Sequence, residues 1–289
     1  MDPESRRAKH EQIEPTEEDH RRIRRDHPLE EALKNPHTVL EQQMEKAEED
    51  IERPAGSLLL SGLSAGLDLG FGPFAMAVII TLTSETFPRP VTELLTANAY
   101  AIGFIFVVMG RSVLFTEQTT SAVQPLLAGR ISLGQLLRTW GLVLVANVAG
   151  GALFAWFAVT LGPALGVAEP FAFGEIARKL VEHSWSVMLL SAIGAGWLMG
   201  LLVWLVTASR TTFGQIFFVW LTTMVIGLGQ MHHSIAGTIE VLMGVFVGEG
   251  ATLADYGRFL LWSVLGNAIG GAVFVAGLKY AHVRRDSAT

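Results

Sequence analysis

The chain has 289 residues, half of them apolar, with no cysteine and a formal net charge of −6. Residues 1–53 carry 16 acidic and 10 basic side chains, and residues 54–289 carry 11 of each, so the net charge belongs to the first segment and the remainder falls far below the roughly 25% charged residues of a soluble domain. That balance excludes an ordinary nucleic-acid binder, which needs a net basic surface, and the lack of cysteine excludes disulfide frameworks, thiolate metal sites and cysteine nucleophiles.

Residues 1–55 read as a charged cytoplasmic tail, partly disordered or helical. Prolines punctuate it and no apolar run follows its start, so a signal peptide is not expected. Two stretches have helical character, 28–34 and 38–53. Acidic residues surround the cluster Arg21, Arg22, Arg24 and Arg25, which favours a solvated segment over a lipid-binding patch.

Residues 56–285 read as a membrane domain. Apolar stretches run at 58–82, 97–127, 139–160, 184–207, 213–247 and 260–282; a span needs about 20 apolar helical residues. The second and fifth are too long for one span and are interrupted by polar residues, Arg111 to Thr120 and Gln230 to Ser234. Backbone leaves the helix at membrane depth only where protein or a water-filled cavity satisfies it. Six spans result, with the second and fifth broken. The connections holding Arg130, Arg138, Arg210, Lys279, Arg284 and Arg285 carry six basic residues against one acidic, so the positive-inside rule puts both termini in the cytoplasm of a cell bounded by this inner (plasma) membrane.

The third and sixth stretches share a phrase. Residues 146–154 read ANVAGGALF and residues 266–274 read GNAIGGAVF, identical at five of nine positions. As local structure, Asn147/Gly150/Gly151 and Asn267/Gly270/Gly271 are helix-packing faces. Their recurrence, each downstream of a broken span, predicts a 3+3 inverted-topology repeat. Gly62, Gly66 and Gly70 add a close-packing ridge in the first span.

The breaks read GRSVLFTEQTTSAV from Gly110 and GLGQMHHSIAGTIEVLMG from Gly227. Leu114-Phe115-Thr116, the run His233-Ser234-Ile235-Ala236 and the paired Asn-x-x-Gly-Gly phrases resemble the formate/nitrite transporter family over residues 56–283, and the extended form of the first break is most similar to its YfdC-type branch. The resemblance implies an all-α, aquaporin-like six-span protomer, a homopentamer with one pore per protomer, and passage of small monovalent anions with or without a proton. It also implies roles: Thr116 in the loop that breaks span 2, His233 as the central pore histidine, Leu114 and Phe115 in an apolar constriction, Ile226 at a position often aromatic, and Lys179 as a vestibule lysine. The chain departs from the pattern at His232, Gly237 and Glu117, and Gly196 stands where a pore-facing Asn of span 4 is usual.

The residues alone point the same way. An anion crossing an apolar constriction must be paired or neutralised, and a histidine can attract it or hand it a proton. Thr116 and Ser234 supply hydroxyls without charge. Two readings stay open for Glu117: a partner that favours the charged form of His233, or an ion pair with Arg111. His233 itself is either a pore residue or a satisfied core histidine, and ionisable residues inside spans point to function. No metal or cofactor is expected, because adjacent His232 and His233 suit no common chelate and no HExxH helix occurs. The one Gly-x-Ser-x-Gly string, Gly62 to Gly66, lies inside an apolar run and not at a strand-to-helix elbow, so no enzyme is expected. The expectation is a channel or transporter for a small monovalent anion such as formate or nitrite, proton-coupled through His233. The alternatives are the same pore passing a neutral or cationic solute, and a membrane scaffold that recruits a partner through its tail.

Overall fold

The computed structural model describes residues 33–286. The arginine cluster at 21–25 and most of the 28–34 stretch lie outside the described residues.

The compact unit begins at Lys34, ahead of the boundary read at 55/56, and the reason is an apolar stripe. Helix α1 (Pro36–Glu52) starts at Asn35, whose side chain accepts from the His37 amide at 2.9 Å with Pro36 in the first turn. Val39, Leu40, Met44, Ala47 and Ile51 recur at helical spacing and are buried. They pack on Trp204, Ala208 and Val283 at one end and on Ala122, Val123 and Leu136 at the other. Its outer face is tied down by Arg130, which donates to Glu41 Oε1 at 2.7 Å and Oε2 at 3.0 Å. These bonds raise the Arg130 pKa above its ordinary value.

Two helices, α2 (Ala55–Leu69) and α3 (Phe71–Thr83), form one nearly continuous apolar rod offset at Gly70. Helix α4 (Arg89–Gly110) follows, and the chain then leaves helical geometry over 111–114 before the short α5 (Phe115–Ser121) and α6 (Val123–Leu127). Helix α7 (Leu133–Ala164) opens with a capping box between Ser132 and Gln135. Next come α8 (Pro170–Val181), α9 (Trp185–Ala208) and α10 (Thr212–Leu228). A second non-helical stretch, 229–233, precedes α11 (Ser234–Val247). Helix α12 (Leu253–Ile269) runs through a π-helical segment, Gly270–Gly277, into α13 (Leu278–Asp286).

Five of these rods, Ala55–Thr83, Arg89–Gly110, Leu133–Ala164, Trp185–Ala208 and Leu253–Arg285, are long and apolar enough to cross a bilayer, while α10 and α11 are shorter apolar helices. Large apolar side chains such as Leu60, Val145, Trp156, Leu190 and Leu261 point outward from the bundle, as expected of a surface that faces lipid or another protomer.

Two crossings repeat. α2 packs against α7 and α9 packs against α12, and glycine permits both contacts. A Cβ on Gly66 would strike the Asn147 carbonyl, and a Cβ on Gly150 would strike the Leu63 carbonyl; a Cβ on Gly196 would strike the Asn267 carbonyl, and one on Gly270 the Ile193 carbonyl. Among the described residues, the two non-glycine residues with positive φ also correspond. Arg111 (57°) ends α4 and Gln230 (49°) follows α10, 119 positions apart, a left-handed turn that few side chains favour.

Candidate functional site

The site is built where α5 and α11 begin, and two buried asparagines hold it. Asn147 Oδ1 accepts from the Phe115 amide at 2.8 Å, and its Nδ2 donates to the carbonyls of Gly62 at 2.8 Å and Val113 at 3.0 Å. Asn267 repeats the arrangement: Oδ1 accepts from the Ser234 amide at 2.7 Å, and Nδ2 donates to Ala192 at 2.8 Å and His232 at 2.9 Å. Backbone freed from helix bonding must find partners, and one carboxamide in each half supplies two, with its third bond going to a carbonyl inside a neighbouring helix, Gly62 or Ala192. The repeated phrase marked these residues as packing faces; their hydrogen-bonding role could be read only once the breaks were folded against them.

The two helix starts meet through Thr116 Oγ1 and His233 Nε2, 2.9 Å apart and buried. His233 is the N-cap of α11, and its Nδ1 accepts from the amides of Ile235 at 3.3 Å and Ala236 at 3.2 Å. With Nδ1 accepting, the ring proton of neutral imidazole sits on Nε2 and is donated to the Thr116 hydroxyl. Phe104 of α4 packs edge-on against the His233 ring at 5.0 Å. Leu114 and Phe115 are fully buried beside this contact, Phe115 against Trp140 at 5.9 Å. The Ser234 hydroxyl is also buried, with no hydrogen-bond partner among the described residues.

A cavity opens on each side. The larger, about 310 Å³, is bounded by α1, α4, α5 and α9 and lined by Lys46, Asp50, Arg111, Glu117, Gln118 and Thr207 among others. The smaller, about 40 Å³, is lined by Glu93, Tyr100, Lys179, Ile226, Gln230 and Glu240 among others. Helix α4 borders both, reaching the small cavity at Tyr100 and the large one at Val108. Eight residues of helix separate these positions, so the occluded layer is about 12 Å thick. Phe104 lies halfway along it.

The predicted residues therefore separate into two groups. Leu114, Phe115, Thr116, His233 and Ser234 come together in the occluded layer, whereas Ile226 lines the small cavity and Glu117 the large one. Neither reading of Glu117 matches its surroundings. No ion pair joins it to Arg111 and no hydrogen bond joins it to His233; α5 turns the carboxyl into the large cavity toward Lys46 and Asp50. Lys179 lines the small cavity, paired with Glu93 at 3.0 Å and Glu175 at 3.2 Å. Gln230 Nε2 also donates to Glu93, at 3.1 Å. Gly196 does not face the pore, because it packs on Asn267, and Gly237 lies against the Phe259 ring. His232 is a structural residue. Its Nε2–H donates to the Leu180 carbonyl and its Nδ1 accepts from Ser191, both at 2.9 Å.

Sequence reasoning missed Tyr100, Phe104, Glu93 and Glu240's place in a cavity. Glu93 and Glu240 were visible as charges, but nothing in spacing marked Tyr100 or Phe104 among 16 phenylalanines and 3 tyrosines.

A bundle of apolar helices in which two non-helical stretches meet in a sealed layer between two cavities defines a membrane channel or carrier for a small solute. Residues 37–281 match the family model described as formate/nitrite transporter. The inner membrane protein YfdC of Escherichia coli (strain K12) is 33% identical over 241 residues, covering 83% of this chain and 76% of that one. Two solved structures share the fold at 23% identity. One, an FNT family ion channel, has a TM-score of 0.74 and covers 85% of this chain and 98% of its own. The other, a pentameric formate channel with formate bound, has a TM-score of 0.65 and covers 80% and 98%. The chain belongs to the formate/nitrite transporter family.

Proposed function

We propose that the protein carries a small monovalent weak-acid anion, formate, nitrite or a close relative, across an inner membrane, one solute at a time through the layer sealed by Thr116 and His233. The protomer is read as six spans, the second and fifth broken at 111–114 and 229–233, in a 3+3 inverted repeat with both termini and α1 on the cytoplasmic side. Five protomers assemble, as in the pentameric formate channel that shares the fold, and each has its own path.

The observation that carries this reading is the Thr116–His233 contact at 2.9 Å. It lies in an apolar layer of Leu114, Phe115 and Phe104, with a cavity lined partly by polar side chains on each side. A bare anion in such a layer faces a desolvation cost of several kcal/mol. A solute that enters it as the neutral acid, or takes the Nε2–H bond that Thr116 holds in the closed layer, avoids most of that cost. His233 acts there as a donor through Nε2. Imidazolium would need a proton on Nδ1 and the loss of both bonds from Ile235 and Ala236. The geometry thus favours hydrogen-bond donation over the proton relay expected of this ring.

Uptake of formate and nitrite into proteoliposomes, with wild type beside Thr116→Val and His233→Ala, tests the reading. Saturable uptake that both variants lose is expected. A second reading, a neutral or cationic solute, is favoured by the two carboxylates, Asp50 and Glu117, that line the large cavity. Flux of ammonium or a neutral solute with no formate or nitrite movement at any pH would replace the first reading by the second.

A further inference from the structure

Two carboxyl groups inside the bundle have neither an ion-pair nor a hydrogen-bond partner among the described residues, and they lie on opposite sides of the sealed layer. Glu117, in the first turn of α5, faces the large cavity. Glu240, in the second turn of α11 and only 5% exposed, faces the small one. We infer that Glu117 and Glu240 are the proton carriers of the pore, one for each cavity, loading and unloading the solute that Thr116 and His233 let pass. This rests on the weak-acid reading above and supplies the proton that His233, capped at Nδ1, does not.

Most of the other charges around these two groups are already engaged. On the α1 side, Asp50 binds Lys46 at 3.1 Å, Arg53 at 3.2 Å and the Gln118 amide at 3.0 Å. Lys46 and Arg111 line the large cavity without an ion pair to Glu117. On the other side α8 presents Lys179, taken by Glu93 and Glu175, and α4 presents Glu93 and the Tyr100 hydroxyl. Helix α12 presents Tyr256 and the Asp255–Arg258 pair, and α2 carries Asp68, which accepts from Ser64 and Ser112. Helices α3 and α9 and the π-helical segment carry no ionisable side chain, and Arg138 of α7 is exposed. A carboxylate in so apolar a bundle is costly unless paired or protonated. Glu117 and Glu240 are unpaired, and each is reachable from one cavity only.

The cycle balances. In the entry cavity the protonated carboxyl gives its proton to an oxygen of the anion, leaving a carboxylate and a neutral acid. The neutral acid crosses the layer on the His233 Nε2–H bond. In the exit cavity the second carboxylate takes the proton back and the anion leaves. Water then reprotonates the first carboxyl and deprotonates the second, so one proton crosses with each anion.

The test uses full-length protein in liposomes containing a pH-sensitive dye, with formate and nitrite as probes and membrane current recorded in parallel. Wild type should move one proton per anion without net current. Glu117→Gln and Glu240→Gln should each slow anion uptake at neutral pH by about 100-fold, the low end of what a positioned acid–base group contributes. Glu117→Asp and Glu240→Asp, which keep a titratable group, should restore the coupling. Infrared difference spectra of the unloaded protein across the pH range should lose one carboxylic-acid carbonyl band in each Gln variant, a readout independent of transport. A double Gln variant with wild-type rate and proton-to-anion ratio overturns this proposal alone. A wild type that moves neither anion overturns both it and the weak-acid reading.

Discussion

At the entry to α5, Asn147 bonds the backbone of Gly62, Val113 and Phe115; at the entry to α11, Asn267 bonds Ala192, His232 and Ser234. The scaffolds match bond for bond, and a left-handed residue, Arg111 or Gln230, precedes each. The side chains that the scaffolds present do not match. At the offset of 119 that relates Arg111 to Gln230, His233 corresponds to Leu114. One break contributes an apolar plug with a threonine hydroxyl behind it, and the other contributes the imidazole. A duplicated backbone device thus carries unlike chemistry, so the two halves can be perturbed separately.

The largest effect should come from the shared device. Asn147→Ala strands the Phe115 amide and the Val113 carbonyl, and Asn267→Ala strands the Ser234 amide and the His232 carbonyl. With each unsatisfied group costing about 1–3 kcal/mol, both variants should lose several kcal/mol, seen as a large drop in melting temperature in detergent. Unequal losses would show that one break is braced by something besides its asparagine.

Next come the crossings. Gly66→Ala and Gly196→Ala each push a methyl group into the backbone of the asparagine's own helix, so each should cost about 1–3 kcal/mol as overpacking, again by melting temperature. A tolerated Gly196→Ala would mean that α9 and α12 can part where α2 and α7 cannot.

His233→Asn separates scaffold from chemistry. Asparagine keeps an acceptor for the amides of Ile235 and Ala236, so stability should stay within about 1 kcal/mol of wild type, while formate uptake is lost because no Nε2–H faces Thr116. His233→Ala should lose both, by about 1–2 kcal/mol in stability.

The smallest effect belongs to α1. Its partly exposed tether from Arg130 to Glu41 and Glu48 is worth at most about 1 kcal/mol. Arg130→Ala should therefore leave the helix docked by its apolar stripe, with hydrogen exchange over residues 36–52 only modestly faster.

What the sequence made legible followed physical period and polarity. Apolar runs located the helices, polar interruptions located the two non-helical stretches, and the Asn-x-x-Gly-Gly phrases pointed to a repeat. The layer residues Leu114, Phe115, Thr116 and His233 came from the resemblance, because no spacing argument distinguishes them. Two things stayed hidden. The burial of α1 was masked by its charge, since a stripe of five apolar residues among eleven polar ones reads as a tail until a groove is there to receive it. Glu117 was misjudged because both candidate partners were chosen by closeness in sequence or in role, whereas α5 turns its carboxyl toward α1, more than 60 residues earlier.

The asparagine braces have a consequence for how the protein is made. Every bond of Asn147 reaches residues between 62 and 115, and every bond of Asn267 reaches residues between 192 and 234. Each half can therefore close its own break from chain it already contains. During synthesis, where folding proceeds from the N-terminus, the first half is complete before the second has left the ribosome. The Thr116–His233 contact is the bond that waits for both halves. That contact is then among the last to form, and a nascent first half enters the membrane already braced but without it.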